Sequence, residues 1–293
     1  MELEYPISGI NIESTLTEEE KWYFDLQGYL ILRQVIPSGT VDQLCGVIDH
    51  WFSMNPADVP KPVNVNKREY TSHIGNPQYG HVLFQELAQN EKIMRVVMGL
   101  MWNRPRLFVS AVHHQVKRPI EEHGKKVFHK DHSGFEFPPE FSNPHNDYQA
   151  GSGKIYCNFV NASIALSDVP PGMGFACVPG SHKSQIKCPA SITYDNEFAP
   201  AETFEMQAGD CIIFSPALIH DSLWWQAEHD RIAVINRYQF SIYFNENPRG
   251  GYPLEEHKDK ISEAQYELES MGKEEKAVVK RVLKKMAAGE TLC

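Results

Sequence analysis

Residues 208–216 read Ala-Gly-Asp-Cys-Ile-Ile-Phe-Ser-Pro, an apolar run held between two turns. Cys211 to Phe214 forms the apolar part, and turn residues stand on both sides of it. Short β-branched or aromatic runs with such boundaries are typical of β-strands. The stretch therefore predicts a short buried strand, and the same pattern recurs through the middle of the chain.

Several further runs share this pattern of apolar residues and turns. Pro170-Pro171-Gly172 and Pro179-Gly180-Ser181 are examples of the turns between them. Many short strands separated in this way favour a sandwich or jelly roll. The sequence thus predicts a mainly β fold with a core at residues 106–245, in a single domain over 1–293. The other predicted strands are Arg106 to Val116, Asn158 to Leu166, Phe175 to Val178 and Ile232 to Phe244.

Helices are predicted on both flanks of the β core. Thr17-Glu18-Glu19-Glu20 has the pattern of a helix capping box, and residues 91–102 indicate another helix. Tyr29 to Arg33 is the exception, a short predicted strand. Residues 1–105 are therefore expected to be mostly helical, and residues 255–293 to form a charged helical tail.

Composition excludes several classes of function. Lys and Arg total 28 against 38 Asp and Glu, so the net charge is −10, which argues against a nucleic-acid partner. No apolar run is long enough for a membrane span, and the first residues lack the features of a signal peptide. The six cysteines form no CxxC pair, which favours reduced thiols in a cytoplasmic protein.

A His-x-Asp motif is the first indication of chemistry. In His129-Lys130-Asp131 the two outer side chains lie two residues apart, so on a strand they point the same way. His220 follows the strand Cys211 to Phe214 after a turn and is well placed to join them. Two imidazoles and one carboxylate leave three positions of an octahedron open, the usual support for Fe(II) that activates O₂.

An arginine completes the predicted site. Arg231 lies eleven residues after His220 and opens the next strand, so it can face the same interior. Its planar guanidinium suits a carboxylate, as a 2-oxo diacid bound to the iron would require. Ser222, Gln115 and Lys117 are further candidates for contact with that co-substrate.

With these residues in place, the sequence resembles the phytanoyl-CoA dioxygenase family of Fe(II)/2-oxoglutarate oxygenases over about residues 17–245. The resemblance implies a double-stranded β-helix (a cupin-like jelly roll), with Fe(II) and 2-oxoglutarate as cofactors and O₂ as co-substrate. It also implies oxidation of a C–H bond in a small organic molecule of secondary or specialised metabolism, by hydroxylation, desaturation or oxidative cyclisation. The matching segments are residues 28–36, 129–131, 164–169, 178–183 and 208–210, together with His220 and Arg231.

A second His-x-Asp motif leaves the choice of ligands open. His145-Asn146-Asp147 lies at a spacing common in the family, twenty residues before Ala165. We favour His129 and Asp131 because a predicted strand leads into them, whereas His145 lies among turn residues. The acid at Asp131 also argues against halogenation, since halogenating relatives carry glycine there.

Two other points remain open in the sequence. Arg237 is a rival to Arg231, because an even spacing of six places both on one strand face. Lys125, Lys126 and Lys130 near the motif favour an acidic substrate, although solvated surface charge explains them equally well. The alternative functions are a cupin-type metal enzyme that does not use 2-oxoglutarate and a binding barrel without catalysis.

Overall fold

The computed structural model describes residues 15–124, 128–131, 147–184, 186, 189, 201–241, 255–270 and 276–293. In these segments the chain forms antiparallel sheets with helices around them, which confirms the predicted mainly β fold. The α-helices are α1 (Glu18–Gln27), α2 (Ser38–Ser53), α3 (Val82–Ala88), α4 (Glu91–Leu100), α5 (Glu263–Glu269) and α6 (Ala277–Ala287). The strands are β1 (Tyr29–Leu32), β2 (Asn64–Asn66), β3 (Thr71–Gly75), β4 (Pro105–Gln115), β5 (Tyr148–Gly151), β6 (Lys154–Cys157), β7 (Phe159–Ala165), β8 (Gly174–Val178), β9 (Glu202–Thr203), β10 (Cys211–Phe214), β11 (Ile219–Leu223) and β12 (Arg231–Phe240).

Two sheets build the jelly-roll core. The larger has seven strands in the order β1-β10-β7-β12-β4-β3-β2, and the smaller has the order β11-β8-β9. A separate hairpin joins β5 to β6. Because neighbours in the large sheet are distant in sequence, strands from both halves of the chain meet in it. Pairing of β12 with β4 sets residue 231 beside residue 115, and Ser222 of β11 in the smaller sheet contacts both.

The N-terminal part combines helices with strands. The Thr17 side chain accepts a hydrogen bond from the Glu20 main chain and the Glu20 side chain accepts one from Thr17, so the predicted capping box begins α1. β1 is the predicted short strand. β2 and β3 are strands that the sequence did not indicate; β3 pairs with the long strand β4, and β2 pairs with β3. Pairing with a long central strand decides such segments more than propensity does.

The large sheet has one face on the main core and one face toward the smaller sheet. Val234 and Tyr238 of β12 are fully buried in the main core with the helices. Side chains alternate along a strand, so Arg231, Ala233 and Arg237 belong to the opposite face. That face is where a site between the two sheets can form.

A buried carboxylate fixes the start of β10. Asp210 accepts hydrogen bonds from the main-chain nitrogens of Gln34 and Gln207 and pairs with Arg33 at 2.7 Å. Gly209 has φ +96°, and a Cβ there would lie 2.4 Å from the Ile36 carbonyl oxygen. The Ala-Gly-Asp turn therefore needs glycine and aspartate to hold β1 against β10.

The C-terminal segment contains the predicted helices, as α5 and α6. α6 packs on α4, and its apolar side chains, such as Val278 and Val282, are fully buried. Across the part of the chain that the structure describes, every helix is too short or too polar to cross a bilayer. The single-domain organisation over 1–293 stays a prediction.

Candidate metal centre

The residues His129, Asp131 and His220 meet between the two sheets. One ligand atom from each lies within 4.8 Å of the other two. Nε2 of His129 is 3.6 Å from Oδ1 of Asp131, and Nε2 of His220 is 3.9 Å from Oδ2. These separations exceed hydrogen-bond length, so the three groups surround a space and do not bond one another.

Main-chain hydrogen bonds hold the two halves of this cluster together. His129 and His220 form an isolated antiparallel bridge, with N–H to carbonyl distances of 3.1 and 2.9 Å. The Asp131 main-chain nitrogen donates to the Pro216 carbonyl at 2.9 Å. The His-x-Asp segment is thus attached to β11 and to the turn before it. Backbone pairing thus joins two segments that lie about ninety residues apart in the sequence.

His220 is oriented as a ligand would be. Its Nδ1 donates to the Leu218 carbonyl oxygen at 2.7 Å, because a carbonyl can only accept. The Nε2 lone pair is therefore free to face the cluster, the arrangement typical of metal-bound histidines. Burial lowers the pKa of His220 to about 4, which keeps the imidazole neutral and able to bind a cation.

Arg231 lies in a second cluster beside the first. Its Nη1 donates to Oε1 of Gln115 at 2.8 Å and to Oγ of Ser222 at 3.2 Å. Ser222 also donates to Gln115 at 3.2 Å. Ser222 is two residues after His220 on β11, so the two clusters are neighbours along one strand face.

The guanidinium of Arg231 is buried without an acid. Its exposed fraction is 6%, its Nε has no hydrogen-bond partner, and no carboxylate among the described residues pairs with it. Burial lowers its pKa to about 10, so it is still a cation at neutral pH. A buried charge surrounded by neutral groups is costly unless an anion meets it. The residues present therefore fit a cation at the triad and a carboxylate at Arg231.

The sequence matches the phytanoyl-CoA dioxygenase (PhyH) family over residues 24–233, more than two thirds of the chain. The chain belongs to that family. Membership confirms the predicted jelly-roll core and the predicted class of enzyme, which depends on Fe(II) and 2-oxoglutarate. No curated protein sequence matches the chain.

Solved structures share this PhyH fold. HygX from Streptomyces hygroscopicus, with nickel and 2-oxoglutarate bound, has a TM-score of 0.64 at 19% identity, over 79% of this chain and 90% of that one. The carbocyclase SnoK from nogalamycin biosynthesis has a TM-score of 0.57 at 17% identity, over 85% and 93% of the two chains. The epimerase SnoN from the same biosynthesis has a TM-score of 0.55 at 18% identity, over 77% and 83%. At these identities the likeness concerns the fold.

Some residues that the sequence grouped with the PhyH site lie elsewhere. Lys117 is beyond the end of β4 and pairs with Glu228 in an exposed ion pair, so the structure does not bring it to Arg231. Side chains alternate inward and outward along β4, and Gln115 is its last residue, so this alternation does not extend to Lys117. Lys130 donates to the carbonyls of Ser181 and Ser184 at 2.7 Å, which removes it from the expected basic rim. Lys125 and Lys126 lie outside the described residues.

The rival His-x-Asp motif is described only in part. His145 lies outside the described residues. Asp147 is buried at the start of the β5–β6 hairpin, where its main-chain carbonyl accepts from Asn158. Within the segments that the structure describes, the one group suited to a metal ion is His129, Asp131 and His220.

Two residues near the PhyH site carried little signal in the sequence. His113 lies two residues before Gln115 on the same face of β4, and its ring meets that of His73 at 4.6 Å. Asn161 of β7 pairs in register with Arg237, and its side-chain oxygen is buried without a partner. Strand parity could have placed His113, but only the sheet order shows that β7 lies beside β12.

Proposed function

We propose that the protein is an Fe(II)- and 2-oxoglutarate-dependent oxygenase in which His129, Asp131 and His220 hold the metal. The convergence of these three side chains around a shared space, in a member of the PhyH family, carries the proposal. When bound, the metal and 2-oxoglutarate activate O₂ and supply the oxidising power for attack on a C–H bond. The donor set of two nitrogens and one oxygen leaves positions open for these partners.

The protein's part in this reaction is to bind and to orient. The hydrogen bond from His220 to Leu218 fixes the imidazole that faces the metal position. Arg231, oriented by Gln115 and Ser222, would receive the distal carboxylate of 2-oxoglutarate. Its burial strengthens that attraction, because water competes poorly for a buried charge.

The substrate is proposed to be a small organic molecule of secondary or specialised metabolism, with no nucleic acid or membrane involved. HygX has been solved with hygromycin B bound, and SnoK and SnoN are a carbocyclase and an epimerase. Of the proposed outcomes, ring closure is supported by the carbocyclase, while hydroxylation and desaturation stay proposals. A cytoplasmic location is also proposed, since Cys45, Cys157, Cys177, Cys211 and Cys293 are free thiols.

Anaerobic addition of Fe(II) and then 2-oxoglutarate tests the assignment directly. The wild-type protein and His145→Ala should develop the visible metal-to-ligand charge-transfer band, and His129→Ala should not. Arg231→Met should need roughly 30-fold more 2-oxoglutarate for half of the band, because a buried ion pair loses one partner.

Circular dichroism and thermal unfolding of each variant control for misfolding. Loss of the band in His145→Ala alone would assign the metal to the other motif. Oxygen uptake by the Fe(II) protein that does not depend on 2-oxoglutarate would favour the cupin-type alternative, and no metal binding would favour a barrel without catalysis.

A further inference from the structure

One face of the large sheet carries two arginines that are separated along one strand by two apolar residues. Along β12, Arg231 and Arg237 lie six residues apart on this face, about 20 Å between their Cα atoms. Ala233 and Ile235 lie between them. The residues beside these two in register are His113 and Ala165 for Ala233, and Ala111 and Ser163 for Ile235. This stretch of β12 therefore has a cation at each end of the face and no charged side chain between them.

The two arginines have different surroundings. Arg231 is buried and held by Gln115 and Ser222, whereas the Arg237 side chain is 33% exposed. Among the described residues, the one charged group near Arg237 is Asp131, with Nη1 and Oδ2 3.6 Å apart. That distance is too long for a hydrogen bond. As a metal ligand, Asp131 would direct its charge to the metal, which leaves Arg237 a cation without a committed partner.

His113 and Asn161, two described residues near Arg237, carry no positive charge. His113 is deeply buried, and that burial, with His73, Arg231 and Arg237 nearby, lowers its pKa well below the ordinary value. The His113 imidazole is therefore neutral at physiological pH. Asn161, directly beside Arg237 in register, has an unpaired side-chain oxygen and is 1% exposed. This oxygen is an acceptor, so it suits a hydrogen-bond donor of a ligand, next to the group that Arg237 binds.

We infer that Arg237 binds an anionic group of the substrate, so that the enzyme acts on carboxylate-bearing or otherwise anionic small molecules. The inference rests on the proposed function and assigns the two ends of the site. The buried end at Arg231 takes the co-substrate, and the exposed end at Arg237 receives the substrate.

Exposure is the reason to assign Arg237 to the substrate. His129 and Arg237, with side chains 50% and 33% exposed, share the side of the triad that solvent reaches. A molecule that arrives from solvent after the co-substrate meets this side first. A co-substrate held at Arg231 occupies the buried end, which leaves the Arg237 end for another ligand.

Calorimetric titration of the Mn(II) protein, with 2-oxoglutarate saturating, tests the inference. The probes are benzoate and 3-phenylpropanoate, each with its neutral amide as the matched ligand. The wild-type protein should bind at least one carboxylate in preference to its amide. Arg237→Met should weaken that binding at least about tenfold, and Arg237→Lys should restore most of it.

Arg281→Met is the matched control variant, since Arg281 is also a partly exposed arginine with a single acidic partner, Glu91. It should bind the probes and 2-oxoglutarate as the wild type does. In Arg237→Met, the dissociation constant of 2-oxoglutarate should change less than about twofold.

Three results would overturn the inference. The first is that neither carboxylate binds better than its amide. The second is that Arg237→Met weakens 2-oxoglutarate and leaves the probes unchanged, which would assign Arg237 to the metal-bound end of the co-substrate. The third is displacement of 2-oxoglutarate by the probes. If 2-oxoglutarate did not bind the wild-type Mn(II) protein at all, the proposed function would fail first and this inference with it.

Discussion

The two ends of strand β10 hold two aspartates that are used in opposite ways. Asp210 precedes the strand and is 1% exposed, with main-chain and guanidinium donors on its carboxylate. Asp131 is attached through its main chain to the turn that follows the strand. Its carboxylate faces two imidazoles and a guanidinium at 3.6 to 3.9 Å and is not in hydrogen-bond contact with any of the three.

This difference separates a structural carboxylate from a functional one. Burial alone would raise the pKa of Asp210, but hydrogen bonds from Gln207 and Gln34 and the ion pair with Arg33 outweigh it and hold the pKa below its ordinary value. Its negative charge is fully used in holding the chain. The charge of Asp131 is still available, as a ligand for an added cation requires.

The largest expected effect is on activity. Asp131→Ala should lower 2-oxoglutarate turnover by more than about 100-fold, because even outer-shell partners of a metal site cost up to that factor. Metal content after dialysis should fall in parallel, while the thermal unfolding midpoint of the metal-free protein stays near that of the wild type. An active Asp131→Ala variant would contradict the assignment of the ligand.

A substitution at the opposite end of β10 should lower the stability of the protein. Asp210→Ala leaves two main-chain N–H groups and Arg33 without their acceptor, so the free energy of unfolding should fall by about 3 kcal/mol. Urea unfolding of the metal-free protein measures this. Arg33→Met is the comparison variant, and it should cost less because that side chain is 57% exposed. Equal stability of Asp210→Ala and the wild type would contradict the structural role.

The effect that is smallest within one pH unit concerns a histidine near the Asp131 end of β10. Burial lowers the pKa of His182 to about 4, below the 6.5 of an ordinary histidine. Between pH 6.5 and 4 the unfolded chain therefore binds a proton that the folded chain does not, so stability falls as pH falls. The loss should reach up to about 1.4 kcal/mol per pH unit for one group. Urea unfolding of the metal-free protein across this range should show a shallower slope in His182→Gln, and identical slopes would exclude His182 as the cause.

Local pattern in the sequence was sufficient for much of the site. The His-x-Asp spacing placed His129 and Asp131 on one side of the chain, and the eleven residues from His220 to Arg231 spanned one turn between strands. Gln115 was a candidate because it shares a strand face with His113. The structure brings these side chains together, because a side chain's direction on a strand depends on parity, which is a local property; their roles stay predictions.

Other placements depended on contacts between distant segments. Lys117 was expected at the co-substrate, but β4 ends two residues earlier and the lysine pairs with Glu228. Lys130 lies within the metal motif, yet its ammonium group is taken by the carbonyls of Ser181 and Ser184. No local pattern could show either result, since the partners lie about 50 to 110 residues away.

The sequence by itself determined the family, the mainly β fold, and the kinds of side chain available for a metal and a carboxylate. Only the tertiary structure decided that Arg237 stands beside Asp131 and Asn161, and that Arg231 is buried without an acid. The physical reason is that sheet order and register are set by pairing between distant strands. Charge and burial at a site follow from that pairing, whereas residue type and strand parity are written along the chain.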